Sequence, residues 1–529
     1  MIAEVRANLE TGIFPAVSKD NAAIVESNPA IIFIILEVLV YGFTAKKTVS
    51  NDDYYACSIL LTDALSNIRY ALERGYTWAE DIIGDFQKIV VQEVFDPQLD
   101  HRIANLTISA IQEAKLELSE EIKLAAQEYL DHVALDEDFE TTADMGNIFD
   151  GIATMGIESP FVIFEILTQQ MSVMPLTAQI ALVCEMFTAA PVVIRELAVV
   201  TLLHPNKELR AGVINYITQA VSKENLTPTS LRRMIGIRNW LPEEERPKLD
   251  AVIKRARKLG VECASWPKAE IGKITATEFD GAGAQGILIV SKNQEGNKLS
   301  GFIAKEGMGI RDPWCSPEAV SQAQIDKISK EMTQTVVSHQ VNSTYLNKLV
   351  AYYLWLGISK EGQPPAVGFL ELAETVGVSD WRAEPFDIHE ELSYLLANID
   401  VHAMSNEFIE ESLHRSKTWL EKQGLTPSWF EDDAEVEKII QSGIKGKRRS
   451  NIDEAFLHNI VLEKVLEPRR EKWAHRFVWM ALWAKEIPNK KGVVWSDFAV
   501  MAHEIFKGRP LREIPVFATI SAETVAMMA

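Results

Sequence analysis

Glu270-Ile-Gly-Lys-Ile-Thr-Ala-Thr-Glu-Phe279, Asp280-Gly-Ala-Gly-Ala-Gln-Gly286, Ile287-Leu-Ile-Val290, a turn at Asn293–Asn297, Lys298-Leu-Ser-Gly-Phe-Ile303 and Gly307-Met-Gly-Ile-Arg-Asp-Pro-Trp314 lie within one stretch, Glu270 to Trp314, whose habit differs from the rest of the chain. Short runs of β-branched and aromatic residues separated by Gly and Asn clusters are the pattern of strands joined by tight turns. The stretch therefore predicts a three-stranded antiparallel meander. Gly307 to Trp314, with two glycines and an Asp-Pro, reads as a loop held in a fixed shape. Three strands are barely stable alone, so one face must pack on helices.

Everything outward from this stretch is helical in pattern. Of the 529 residues, 47% are apolar and 24% charged, the balance of a globular chain, and the length exceeds what one core usually supports. The apolar run Pro29–Phe43 spans about 15 residues and carries Glu37, short of the ~20 needed to cross a bilayer, and reads as a buried helix. Helical periodicity continues through Tyr54–Leu72, Trp78–Val94 and Ile103–Val133. Leu135–Asp144 is acidic, and a cation site at Asp136, Glu137, Asp138 and Glu140 is set against a solvated linker, because the order of residues is not that of an EF-hand. The divisions expected are 1–150, 151–265, 266–316, 317–384 and 385–529.

Residues 160–221 contain two helix pairs, each opened by a proline, about 30 residues apart. In the second pair, Leu202-Leu-His-Pro-Asn-Lys-Glu-Leu-Arg-Ala-Gly-Val-Ile214 has a Pro-containing turn, then Leu209 and Arg210, then small and branched residues. This segment resembles the inner helix of a HEAT-type repeat, although the usual Asp of the turn is absent and no third copy is present. The resemblance implies a stacked-helix scaffold with an extended binding surface. The Gly-x-Gly-Ile-Arg-Asp-x-Trp strand module is in turn similar to modules of uncharacterised bacterial proteins, which attaches no function to it. The fold expected is thus mainly α, stacked helical hairpins in an α-solenoid-like array with a small three-stranded antiparallel β insertion.

A net charge of −22 argues against a general nucleic-acid binder, since phosphate contact needs a positive surface. The densest positive region is the helix Arg246–Leu259, with Lys254, Arg255 and Lys258 as its candidate contacts for phosphate or an acidic partner, against the default of a solvated face. Near the C-terminus, Trp473, Phe477, Trp479 and Trp483 lie beside Arg469, Lys472 and Arg476. Aromatics next to cations can hold single-stranded nucleic acid. Their helical spacing and the nearby acidic run Glu431-Asp-Asp433 favour core packing instead.

Four cysteines are scattered without metal spacing, the ten histidines are dispersed, and no phosphate loop, nucleophile elbow or zinc-protease helix occurs. Gly281-Ala-Gly283-Ala-Gln-Gly286 formally fits a dinucleotide pattern, but strand residues follow it where a helix is needed. No cofactor and no metal are expected. The candidate polar site is Asp280 and Gln285 in the glycine loop with Lys305, Arg311, Asp312 and Trp314 after the last strand. The structural account of the same residues is a turn at Asp280-Gly281 and a local Arg311–Asp312 ion pair.

Scattered single cysteines and the lack of a secretory start lead to a cytoplasmic location. The function expected is a protein–protein interaction scaffold without evident catalysis. The alternative is an enzyme or nucleic-acid-processing factor of unrecognised class, with its site near the glycine loop 280–286 and the loop 305–315.

Overall fold

The computed structural model describes residues 1–10, 17–42, 51–136, 149, 159–399, 404–419, 421, 424, 425, 427–444, 454–487 and 494–528. The chain divides into two compact units, Met1–Glu185 and Met186–Ala529.

The first unit is helical: α1 (Ile2–Glu10), α2 (Lys19–Ser27), α3 (Ile31–Tyr41), α4 (Asn51–Glu73), α5 (Thr77–Glu93), α6 (His101–Glu113), α7 (Glu120–Asp136), α8 (Pro160–Met171) and α9 (Leu176–Thr188), the last crossing the division. The apolar run becomes α3, whose Ile32, Leu36 and Leu39 meet Leu60, Leu61 and Leu65 of α4 and Phe86 of α5 in one core. Among the described residues no single helix is long and apolar enough to cross a membrane, though α2 and α3, bent by 110°, pass that test of length and composition together. Glu137, Asp138 and Glu140 of the acidic stretch lie outside the described residues.

In the second unit, α10 (Val192–Val200), α11 (Lys207–Ala220), α12 (Pro228–Ile237) and α13 (Arg246–Lys258) precede the sheet. Asn206 caps α11 through the N–H groups of Glu208 and Leu209, and Thr227 caps α12 through Ser230, so side-chain oxygens satisfy the orphan donors at both starts. The helix pair that resembles a repeat is α10 and α11. The division between the units falls within α9, so this pair and α8 belong to different units.

The sheet has five strands, not three: β1 (Glu270–Thr277), β2 (Ala284–Asn293), β3 (Gly296–Lys305), β4 (Gly309–Cys315) and β5 (Ser338–Val341), all antiparallel in the order β4-β3-β2-β1-β5. The supposed loop 307–314 is mostly β4. It escapes the strand pattern because a bulge interrupts it: Gly301 pairs with Trp314 but Ile303 with Arg311, leaving an extra residue on β4. Asp312 there adopts φ +48°, a left-handed conformation that Asp tolerates, and Pro313 sits where the ladder needs no donor. The fifth strand, Ser-His-Gln-Val, is short and polar and carries no strand signal in sequence.

Both faces of the sheet are covered. Leu288 and Leu299 meet Ile325 of α14 (Gln322–Thr335), while α15 (Ser343–Glu361) and α16 (Gly368–Val376) pack on β3 and β4. This two-sided burial explains the unbroken apolar run Ile287–Val290. Helix α14 begins at the Ser321 capping box with Gln324. The remaining helices are α17 (Ile388–Ala397), α18 (Asn406–Arg415), α19 (Ala434–Ile444), α20 (Glu454–Val461), α21 (Arg470–Lys485), α22 (Trp495–Phe506) and α23 (Val516–Met528). Helix α23 buries Val516, Phe517, Ile520 and Val525.

Candidate functional site

The glycine loop is a tight turn built by its own residues. The Asp280 carboxylate accepts from the Ala284 N–H at 2.7 Å, and Gly283 N–H donates to the Asp280 carbonyl at 3.0 Å. Burial pushes the Asp280 carboxyl up, against the Ala284 N–H and the Arg476 charge that favour its ionised form. Gly281 is needed for close approach: a Cβ there would stand 2.4 Å from the Phe430 carbonyl oxygen and 2.5 Å from that of Ser428. Gln285 is fully buried, donating to the Thr277 carbonyl at 2.7 Å and accepting from the Tyr345 hydroxyl at 2.7 Å.

The second half of the predicted site is also spent on the fold. Arg311 reaches Glu361 of α15 at 2.6 Å instead of pairing with Asp312. The Trp314 indole lies over Gly301, whose missing Cβ would meet Nε1 at 2.8 Å, and the ring remains 44% exposed. Lys305 closes β3 opposite Ala284 and Gly309. The six residues therefore share one module, but they do not converge on a cleft as a set.

What the loop does face is α21. Glu306, which sequence reasoning passed over, sits in the β3–β4 turn and accepts from Arg476 Nε at 3.0 Å. Gly283 makes room for this carboxylate, because a Cβ there would lie 2.3 Å from Oε2. Arg476 is buried, with Nη1 3.6 Å from Glu431 Oε1 and the guanidinium 4.7 Å above the Trp473 ring. Both Nη atoms and Glu431 Oε1 have no hydrogen-bond partner among the described residues. The other Glu431 oxygen accepts from Arg469 at 2.6 Å and Lys472 at 3.2 Å, and Arg469 also holds Asp433. The cations and acidic run singled out in sequence are thus one ion network.

Two histidines come together that sequence could not pair: His389 and His475 both lie against the Phe506 ring, at 4.7 and 6.0 Å. Burial lowers the His475 pKa, with Glu306 pulling the other way. Burial raises that of Tyr352, and Glu306 adds to it. Among the described residues no three His, Cys, Asp or Glu side chains are placed to hold a metal ion. The aromatics of α21 are core: Trp473 and Phe477 pack with Trp429 and Phe517, and Trp479 stacks on Phe386 at 4.5 Å.

Helix α13 stands apart from this network. Its Leu249, Val252, Ile253 and Ala256 are buried, and Lys248, Lys254, Arg255, Arg257 and Lys258 are exposed. Arg255 donates to the Thr218 carbonyl at 2.6 Å, capping the end of α11. Its sole acid, Asp250, is held by Arg238 at 2.8 Å. No carboxylate among the described residues lies within ion-pair distance of Lys248, Lys254, Arg257 or Lys258.

Two family models match this chain, the Y4lR second domain over residues 175–260 and the Y4lR C-terminal helical domain over residues 389–529. The second pair of the supposed HEAT-like repeat falls inside the first of these, and nothing in the similarities supports a HEAT repeat. Among curated proteins, the chain is 28% identical over 327 residues to "Uncharacterized protein y4lR" of Sinorhizobium fredii (strain NBRC 101917 / NGR234). That match covers 60% of this chain and 59% of the relative's length. No solved structure matches it.

Proposed function

We propose that the protein is an interaction scaffold, its paired helices presenting an extended surface to a protein partner, and that the strand module serves to hold that surface together. One contrast carries the reading. The polar residues of the strand module are engaged by the fold, whereas no carboxylate among the described residues lies within ion-pair distance of Lys254, Arg257 or Lys258 on the outward face of α13. Affinity capture with the full chain from its native host, followed by mass spectrometry, tests it: a protein retained in stoichiometric amount supports the scaffold. Recovery of nucleic acid in salt-sensitive amounts, with no protein retained, would overturn it.

A catalytic reading has one observation in its favour. A buried guanidinium with two nitrogens that have no hydrogen-bond partner among the described residues holds the half-buried Glu306 beside the glycine loop, and the Glu306 charge acts on His475, whose pKa burial lowers. Under that reading Arg476→Lys removes an activity while leaving partner capture unchanged; under the scaffold reading it alters thermal stability alone.

A further inference from the structure

We infer that the outward face of α13 is a docking surface for an acidic helical segment of a partner protein, an inference that rests on the scaffold reading and deepens it. At 100° per residue, Lys254, Arg257 and Lys258 fall within about a third of the helix circumference, opposite the buried Leu249, Val252 and Ala256. Lys254 and Lys258 are one turn apart, about 6 Å along the axis, the spacing at which carboxylates four residues apart stand on a second helix. Leu259, 41% exposed, continues the helix past Lys258 and offers an apolar contact beside the charges.

Two features select an acidic protein segment over a nucleic acid. Helix α13 carries no aromatic side chain for stacking on bases. The nearby Trp266 is engaged under the Arg232 guanidinium at 5.3 Å, with its indole N–H donating to the Ala373 carbonyl. The cations of the last turn also complement the helix dipole, a structural role that needs no partner. Binding, and not stability, is therefore the readout.

The test is fluorescence anisotropy of the full chain with two labelled probes, a poly-glutamate of about 20 residues and an oligothymidylate of similar length, at low salt. Poly-glutamate is expected to bind. Lys254→Glu/Arg257→Glu/Lys258→Glu should weaken it at least about tenfold, and the Gln counterpart, which places no carboxylate at the helix C-terminus, by about threefold or more. Charge reversal at Lys360 and Lys417, exposed on other elements, should leave it unchanged. No binding of poly-glutamate, binding indifferent to the α13 substitutions at unchanged melting temperature, or tighter binding of oligothymidylate would each sink the inference. A protein captured equally well by the wild type and the α13 variant would remove this surface while leaving the scaffold reading in place.

Discussion

Gly281 and Gly84 are both glycines, yet their replacement by alanine should move stability in opposite directions. At Gly281 a Cβ collides with backbone atoms of Ser428 and Phe430 that cannot rotate away, so Gly281→Ala should cost about 1–3 kcal/mol in urea unfolding. Gly84 lies mid-helix in α5 with open space around it, and Gly84→Ala should stabilise by about 0.5–1 kcal/mol. Asp280 gives stability a pH dependence whose sign follows from its burial. A carboxyl whose folded pKa is raised holds its proton more tightly in the folded than in the unfolded chain, so its stabilising contribution is present at low pH and is lost as pH rises through the folded value. Asp280→Asn keeps an acceptor for the Ala284 N–H and removes the buried charge. Unfolding at pH 7 should show it as stable as the wild type or more so, with a smaller difference at pH 3. The glycine loop was legible as a turn from Asp280-Gly281 alone. Its partners were not, because Arg476 lies almost two hundred residues further on and no local pattern links it to Glu306.

At the scale of elements, the start of α13 shows how a local reading can misplace a side chain. Leu241-Pro-Glu-Glu-Glu245 has the form of a helix cap, yet Glu245 makes no cap hydrogen bond and is buried against Arg210, with Nε donating at 2.9 Å and Nη2 at 2.5 Å. Arg210 also donates to the carbonyls of His204 and Pro205, so this one guanidinium ties the turn before α11 to the start of α13. Glu245→Ala should cost about 3–5 kcal/mol by chemical denaturation, and Arg210→Met/Glu245→Leu far less, since removing both charges leaves none uncompensated. The same turn makes stability pH-dependent. Burial pushes the His204 imidazole down to about 4, with Arg210 adding to the effect, and its Nδ1 accepts from the Asn206 N–H at 3.1 Å. The unfolded chain then binds the proton first, so stability is full above about pH 6.5 and falls by up to about 3 kcal/mol toward pH 4. Melting temperatures of His204→Asn across that window should fall less steeply than those of the wild type. Strand elements were legible where apolar runs were unbroken, as in Ile287–Val290. They were hidden where the bulge at Asp312-Pro313 broke the alternation, or where β5 offered four residues without an apolar pattern.

For the whole molecule, the division near residue 185 and the family match that begins at residue 175 point to the same experiment. A fragment of residues 175–529 should retain a single cooperative thermal transition and helical far-ultraviolet dichroism, because the sheet, its covering helices, the ion pairs of Arg233 with Glu196 and Glu374, and the network about Glu431 all lie within it. Two transitions, or none, would contradict the division. The mainly helical class was legible from periodicity, whereas the gathering of helices around a five-stranded sheet depends on contacts far apart in sequence.

The tryptophans of this unit carry a practical consequence. Trp429 donates its indole N–H to the Phe279 carbonyl at 2.8 Å, and Trp483 donates to that of Ala276 at 3.1 Å, so two buried rings read out the end of a single strand. Peeling that strand away would wet both indoles at once and move their share of the emission from the chain's twelve tryptophans to the red, with no dye attached.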